Sequence, residues 1–241
     1  RSDLDHLEQC AARPDARILL LCSPHNPVGR VWSEEELTAV LDIARRHRLV
    51  VVSDEIHCDL TFTDKPRHTM LAKLAGPEDA LVTAVAPSKS FNMPGLGLSA
   101  LVIPDADRRK AMKDVFESMH LPQCNPFSIA GFEAGYRHGA PWLDDLMAYL
   151  QASRDYVVEA VGQRLPAIRV SAPEGTYLMW LDCRELGLDD AGLKRFFVRE
   201  ARVGMNPGLS FGDPGSGFMR LNIGCARSVL EEVIGRIEAA L

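Results

Sequence analysis

Apolar and polar positions in the first half of the chain alternate between two textures. Arg17 to Cys22 (RILLLC) is a short continuous apolar run, which predicts a strand buried on both faces. The turn-forming stretch Ser23-Pro24-His25-Asn26-Pro27-Val28-Gly29 follows it. Leu37, Val40, Leu41 and Ala44 then recur at i, i+3, i+4 and i+7, the stripe of an amphipathic helix, and Ser33 with Glu36 writes a capping box at its start. Leu49 to Ser53 predicts a second strand that delivers Asp54 at its carboxyl end. Ala80 to Val85 predicts a third, running straight into Ala86-Pro87-Ser88-Lys89-Ser90, and Ser99 to Ile103 a fourth.

The second half changes texture. Trp142, Leu143, Leu146, Met147 and Leu150, with Tyr156, Val157 and Val161 beyond, predict one long helix from Pro141 to about Leu165. After Pro166 come short strands (Ile168 to Val170, Tyr177 to Leu181, Phe218 to Asn222) and two helices. These are Ala191 to Glu200 and Ser228 to Leu241, the second opening on a Ser228/Glu231 capping box. The expected fold class is α/β: a mainly parallel sheet with helices on both faces, plus a smaller C-terminal α+β domain. The division is expected at residue 150, giving 1–150 and 151–241. No internal repeat or low-complexity tract interrupts the pattern.

Composition narrows the setting. The 241 residues are 46% hydrophobic and 25% charged, an ordinary globular balance. The 27 basic residues against 33 acidic ones leave a net charge of −6, so there is no basic stripe for nucleic acid or an anionic membrane. No apolar run approaches the ~20 residues that span a bilayer. Six cysteines (Cys10, Cys22, Cys58, Cys124, Cys183, Cys225) show no CxxC or metal-ligand spacing, which predicts a reducing, cytoplasmic setting without a disulfide framework. The opening Arg1-Ser2-Asp3-Leu4 has no Met, and reads as a cut into a longer protein.

Candidate chemistry collects where such a sheet binds ligands, beyond the carboxyl ends of its strands. Asn26, Asp54, His57, Ser88 and Lys89 all follow predicted strands. A lysine in such a loop is ordinarily a solvated residue; its company changes the reading. Pyridoxal 5′-phosphate chemistry needs a lysine amine to form the imine and move the Cα proton. It also needs a carboxylate to keep the pyridine nitrogen protonated, and a donor at the phenolic oxygen. Lys89, Asp54 and Asn26 supply that set.

The order of motifs then carries a resemblance along essentially the whole chain. Asn26-Pro27-Val28-Gly29, Ser53-Asp54-Glu55-Ile56-His57 and Ala86-Pro87-Ser88-Lys89-Ser90-Phe91-Asn92 resemble the class I/II aminotransferase-like, fold-type-I pyridoxal-phosphate enzymes. The Asp-Glu-Ile-His run resembles their cystathionine β-lyase (C–S lyase) branch, where many aminotransferases carry tyrosine at the His57 position. Gly139-Ala140-Pro141-Trp142-Leu143, Pro173 to Asp182, Asn206-Pro207-Gly208 and Phe218 to Gly224 add to it.

The resemblance implies Lys89 as the Schiff-base lysine, Asp54 as the pyridinium partner and Asn26 on the phenolic oxygen. It places His57 nearby, Ser88 on a phosphate oxygen, and Arg220 on the substrate α-carboxylate, which a planar guanidinium can grip through two bonds. Core packing is the other reading of His57, and a strand salt bridge the other reading of Arg220. The activity implied is β-elimination from a sulfur-containing amino acid to thiol, pyruvate and ammonia. Transamination by the same residues is the alternative, and a non-catalytic fragment or regulatory protein with this fold is a third reading.

Two departures qualify the match. Many aminotransferases carry a phosphate-gripping arginine eight residues after the lysine, where this chain has Gly97; the lyase branch is commonly non-basic there. The family's preceding segment, with its phosphate loop and ring-stacking aromatic, has no counterpart in the chain, so weak cofactor retention by these residues alone is expected. For the full-length protein the resemblance implies a homodimer. Other motifs fail on context. Asp-Glu-Ile-His lacks the phosphate-cradling loop of a helicase, and Gly95-Leu96-Gly97-Leu98-Ser99-Ala100 precedes a strand instead of opening a helix. HExxH is missing, so no metal site is expected, and no serine-hydrolase nucleophile elbow is expected either.

Overall fold

A computed structural model describes residues 3–121 and 125–241. Cys124 and the opening Arg1-Ser2, which entered the expectations above, lie outside them. The chain divides into two compact units. One takes the chain up to Pro24 together with Val31–Leu143, the other His25–Arg30 and Asp144–Leu241.

The first unit contains α1 (Leu4–Ala11), β1 (Ile18–Cys22), α2 (Glu34–His47), β2 (Val50–Asp54) and β3 (Leu81–Val85). The short α3 (Pro87–Ser90), β4 (Ala100–Val102), α4 (Ala106–Ser118) and α5 (Pro126–His138) complete it. Its sheet has the order β1-β2-β3-β4. The first three strands are parallel and β4 is antiparallel to β3, so the sheet is mixed. Leu19, Leu21, Val51 and Leu81 pack against Leu37, Val40, Leu41, Ile43 and Ala44 of α2. Each fully buried leucine in that layer contributes about 1.5–3 kcal/mol. On the opposite face β1 stands open, with Ile18 60% and Leu20 78% exposed, so the expectation of a strand buried on both faces is corrected: only its α2-facing side is covered among the described residues.

The expected capping box holds α2: Ser33 Oγ accepts from Glu36 N at 3.3 Å and Glu36 Oε2 from Ser33 N at 3.1 Å. Polar ties position the helix further. Glu8 of α1 meets Arg46 and His47, and Arg45 donates two 2.7 Å bonds to Asp79 ahead of β3.

A long helix, α6 (Ala140–Arg164), begins in the first unit and continues in the second. The second unit also has β5 (Arg169–Val170), β6 (Leu178–Asp182), α7 (Asp190–Arg195), β7 (Asn206–Pro207), β8 (Phe218–Asn222) and α8 (Arg227–Ala240). Its sheet is antiparallel throughout, in the order β5-β6-β8-β7. Met179, Leu181, Met219 and Leu221 face a core with Val157, Val161, Leu193, Phe197, Leu230, Ile234 and Ile237. The alternate residues Trp180, Phe218 and Arg220 therefore share the other face.

Two further expectations need correction. Ser228 does not cap α8: the helix starts at Arg227 after an extended Ala226, which makes no side-chain cap bond, so Ser228 already lies within the first turn. The helix expected over 191–200 starts earlier, because Asp189 caps it by accepting from Gly192 N at 2.7 Å. It then widens into a π-type turn over Phe196–Glu200.

Candidate active site

In the first unit, the parallel strands β2 and β3 are neighbours, and they pair Asp54 with Ala84. Both carboxyl ends therefore lie on one edge of the sheet. Asp54 ends β2 and is exposed; Lys89 follows β3 within α3 and is half-buried. Asp54 Oδ1 accepts from Ile56 N at 3.2 Å, while Ser23 N donates to Asp54 O at 3.0 Å and Glu55 N to Ala84 O at 2.9 Å. The carboxylate is thus aimed by a turn of its own backbone and by both flanking strands. His57 is buried, 4% exposed, three residues on.

Ser88 and Lys89 owe their position to a helix of four residues, which cannot persist alone and is fixed by its neighbours. Ser90 Oγ, fully buried, donates to Asp59 Oδ2 at 2.6 Å. Phe91 meets Tyr136 edge-on at 5.4 Å and Trp142 at 6.4 Å. Burial, then the charge of Asp59, pushes the Cys58 thiol up to about 12, and the Tyr136 phenol is likewise pushed up to about 12, first by burial. Both shifts favour the protonated forms, which makes the Cys58 thiol a poor nucleophile. Lys89 has no acidic partner among the described residues and keeps its amine for other work.

The second unit brings Asn26 and Arg220 together. Arg220 lies mid-strand in β8, paired with Trp180 of β6 and Asn206 of β7. Its Nη1 donates to Asn26 Oδ1 at 2.7 Å and its Nη2 to Asn206 Oδ1 at 2.9 Å. Its guanidinium carbon lies 4.8 Å over the Phe211 ring, and its buried Nε has no partner. Burial lowers its pKa from the ordinary arginine value. No carboxylate among the described residues neutralises it, so the salt-bridge reading of Arg220 fails and a half-buried positive charge is left for an anion.

Asn26 is held by a turn in which His25 N donates to Arg30 O at 2.8 Å and Gly29 N to His25 O at 2.7 Å. Gly29 has φ +68°, and a Cβ there would meet Pro173 and the Gly175 carbonyl, so this turn requires glycine. Gly29 O in turn accepts from Glu174 N and Gly175 N at 2.8 and 2.9 Å.

Sequence reasoning missed several of these residues. Asn206 belonged to a quoted motif without a role, and Phe211, Asp59 and His68 carried no signal at all. His68 Nε2 lies 2.6 Å from the fully buried Glu55, which was quoted only as part of the Asp-Glu-Ile-His run.

The residues present fit pyridoxal phosphate: a free amine and an aimed carboxylate on one sheet edge, and an unneutralised guanidinium whose Asn26 partner has amide hydrogens to donate. No group of histidine, cysteine and acidic side chains among the described residues could hold a metal ion, and no described helix is long and apolar enough to cross a membrane.

Comparison with known proteins points the same way. The family described as aminotransferase class I and II matches residues 1–237. Cystathionine beta-lyase PatB of Bacillus subtilis is 38% identical over 240 residues, covering 99% of this chain and 62% of that protein. Protein MalY of Escherichia coli is 38% identical over 239 residues, covering 98% and 60%. The crystal structure of cystalysin from Treponema denticola, which contains a pyridoxal 5′-phosphate cofactor, matches with a TM-score of 0.96 at 32% identity, over 100% of this chain and 61% of that one. The chain thus spans about three-fifths of the length of these relatives.

Proposed function

The chain belongs to the class I and II aminotransferase family, and from that premise we propose that it serves pyridoxal-phosphate-dependent β-elimination. The substrate is an amino acid with a β-thio substituent, which with water gives a thiol, pyruvate and ammonia. The observation that carries this reading is the pairing of Asp54 with Ala84, which sets the Asp54 carboxylate and the Lys89 helix on one edge of adjacent parallel strands. Similarity to a cystathionine beta-lyase favours elimination over amino transfer.

Pyridoxal phosphate, when bound, supplies an electron sink conjugated to the substrate Cα. Lys89 would hold the cofactor through its amine and would serve as the general base for the Cα proton. Asp54 would pair with the ring nitrogen and favour its protonated form. Asn26 accepts from Arg220 through its oxygen, and its amide nitrogen would be the donor to the phenolic oxygen. Ser88 would bond the phosphate, and His57 would pack close by. Arg220 grips the substrate carboxylate in a fork, with Asn206 and Phe211 fixing the guanidinium plane.

We assign the whole protein to the cytoplasm as a homodimer. Thiols outside any disulfide at Cys10, Cys58, Cys183 and Cys225 support the reducing setting, and the family resemblance supports the dimer.

The test is borohydride reduction after incubation with pyridoxal phosphate, followed by peptide mapping and product analysis from cystathionine. Label confined to Lys89, with pyruvate and free thiol released, is expected. Label scattered over surface lysines defeats the cofactor assignment, and an amino group passed to a keto-acid acceptor defeats elimination in favour of transamination.

A further inference from the structure

A buried polar network lies directly behind Asp54. Ser53 and Glu55 flank Asp54 in sequence and are both 0% exposed, while Asp54 itself is exposed. Alternation along an extended backbone sends the two flanking side chains inward as Asp54 turns outward. Glu55 Oε1 accepts from Ser53 Oγ at 2.9 Å and from Leu71 N at 3.0 Å, and Oε2 lies 2.6 Å from His68 Nε2. His68 Nδ1 lies 3.4 Å from Ser23 Oγ. The network therefore joins the residue after β1, both neighbours of Asp54 at the end of β2, and the segment 68–71.

Ser23, His68 and Glu55 follow the order of a serine–histidine–acid relay, but Ser23 is 1% exposed and the His68 side chain 4%, so no substrate reaches the hydroxyl. A carboxylate removed from water this completely persists only with its oxygens satisfied. Glu55 has three partners, Ser53 Oγ, Leu71 N and His68 Nε2, so the two residues on either side of one exposed aspartate are bonded to each other and tied to the segment 68–71.

We propose that Glu55 and His68 are positioning residues for Asp54, clamping the carboxyl end of β2 so that its carboxylate keeps a fixed direction at the sheet edge. The proposal deepens the function proposed above and rests on the role given there to Asp54. Its mechanical content is independent of any cofactor. If the clamp is broken, the two amides that hold Asp54, Ser23 N on its carbonyl and Ile56 N on its Oδ1, lose their constraint.

Amide hydrogen exchange on Glu55→Gln and His68→Gln reads this directly. Exchange at Ser23 and Ile56 is expected to quicken roughly tenfold or more, since a buried polar group left unsatisfied is costly. Leu49 and Val51, which bond Ala44 O and Ala80 O outside the network, are expected to keep their protection. Unchanged exchange at Ser23 and Ile56 in both variants would overturn the proposal. So would an equal loss at all four amides, including failure of both variants to fold, because the pair would then only stabilise the unit. The exchange result does not depend on labelling of Lys89. Scattered labelling would defeat the proposed function alone, and unchanged exchange would defeat the clamp alone.

Discussion

Nη1 of Arg220 donates to Oδ1 of Asn26 at 2.7 Å, across 194 residues of sequence. Arginine is only ever a donor, so this bond settles which way the Asn26 amide faces: its oxygen is taken and its nitrogen is left to donate. The same bond, with that from Nη2 to Asn206, orients a guanidinium that has no acidic partner among the described residues.

Asn26→Asp tests this arrangement. The change is nearly isosteric but gives Arg220 the carboxylate it lacks, and it removes the amide donor. In the full-length enzyme KM for substrate is expected to rise roughly tenfold to a hundredfold, the scale of a charge-assisted bond of about 1.5–3 kcal/mol. An unchanged KM in steady-state assays would show that Arg220 does not hold the substrate carboxylate.

Lys89→Ala is expected to abolish turnover, and Asp54→Ala to remove most of it. Both side chains are incompletely buried and sit outside the packed core, so Lys89→Ala should stay within about 0.5 kcal/mol of the parent, and Asp54→Ala, which also loses the bond from Ile56 N, should cost about 0.5–1.5 kcal/mol. Pyruvate release from cystathionine and denaturant melts measure the two effects separately. Retained pyruvate release by Lys89→Ala in the full-length enzyme would sink the lysine assignment.

The elements legible in the sequence were those with a strong period. The α2 stripe with its capping box and the strand positions of β1 to β3 stand where the pattern put them, although β1 is buried on one face only. Helix α4 escaped because it buries none of its residues and so shows no apolar stripe, and β7 because two residues carry no period. For the site, Lys89, Asp54 and Arg220 were visible as charges beside apolar strands. Their supports were not: Asp59 reaches Ser90 across 31 residues and Glu55 reaches His68 across 13, spacings set by the tertiary fold and not by any helix or strand period.

Asp79 gives a pH dependence. Hydrogen bonds from Arg45 hold its carboxyl below the usual carboxylate range, with Gly76 N adding to the effect and burial opposing it. Because the folded-state pKa is depressed, the stabilisation is full above the unfolded value and is lost as pH falls through the folded one. Asp79→Asn should therefore cost about 1–3 kcal/mol near neutrality. The gap to wild type should narrow as the pH drops below about 3.8, the ordinary value for this side chain. Urea melts of both proteins across that range decide it, and a gap independent of pH would mean that Asp79 contributes no ionic stabilisation.

Gly139 connects packing to the lysine helix. Its φ of −82° is open to any residue, so the backbone does not demand glycine there. Space does: a Cβ would lie 2.5 Å from both the Phe91 ring and the Gly135 carbonyl. Phe91 N closes the last turn of α3 on Pro87 O at 2.9 Å, two residues beyond Lys89. Pushing the ring away from Gly139 must therefore move α3 or break its contact with Tyr136. Gly139→Ala is expected to cost about 1–3 kcal/mol by overpacking. It should also slow pyridoxal-phosphate labelling of Lys89 under conditions where the variant remains folded. Gly95→Ala is the control, since nothing lies within 4 Å of the Cβ it would add, and it should stay within about 0.5 kcal/mol of the parent. If both variants labelled and melted like wild type, the ring contact with Gly139 would carry none of the weight of holding Lys89 in place.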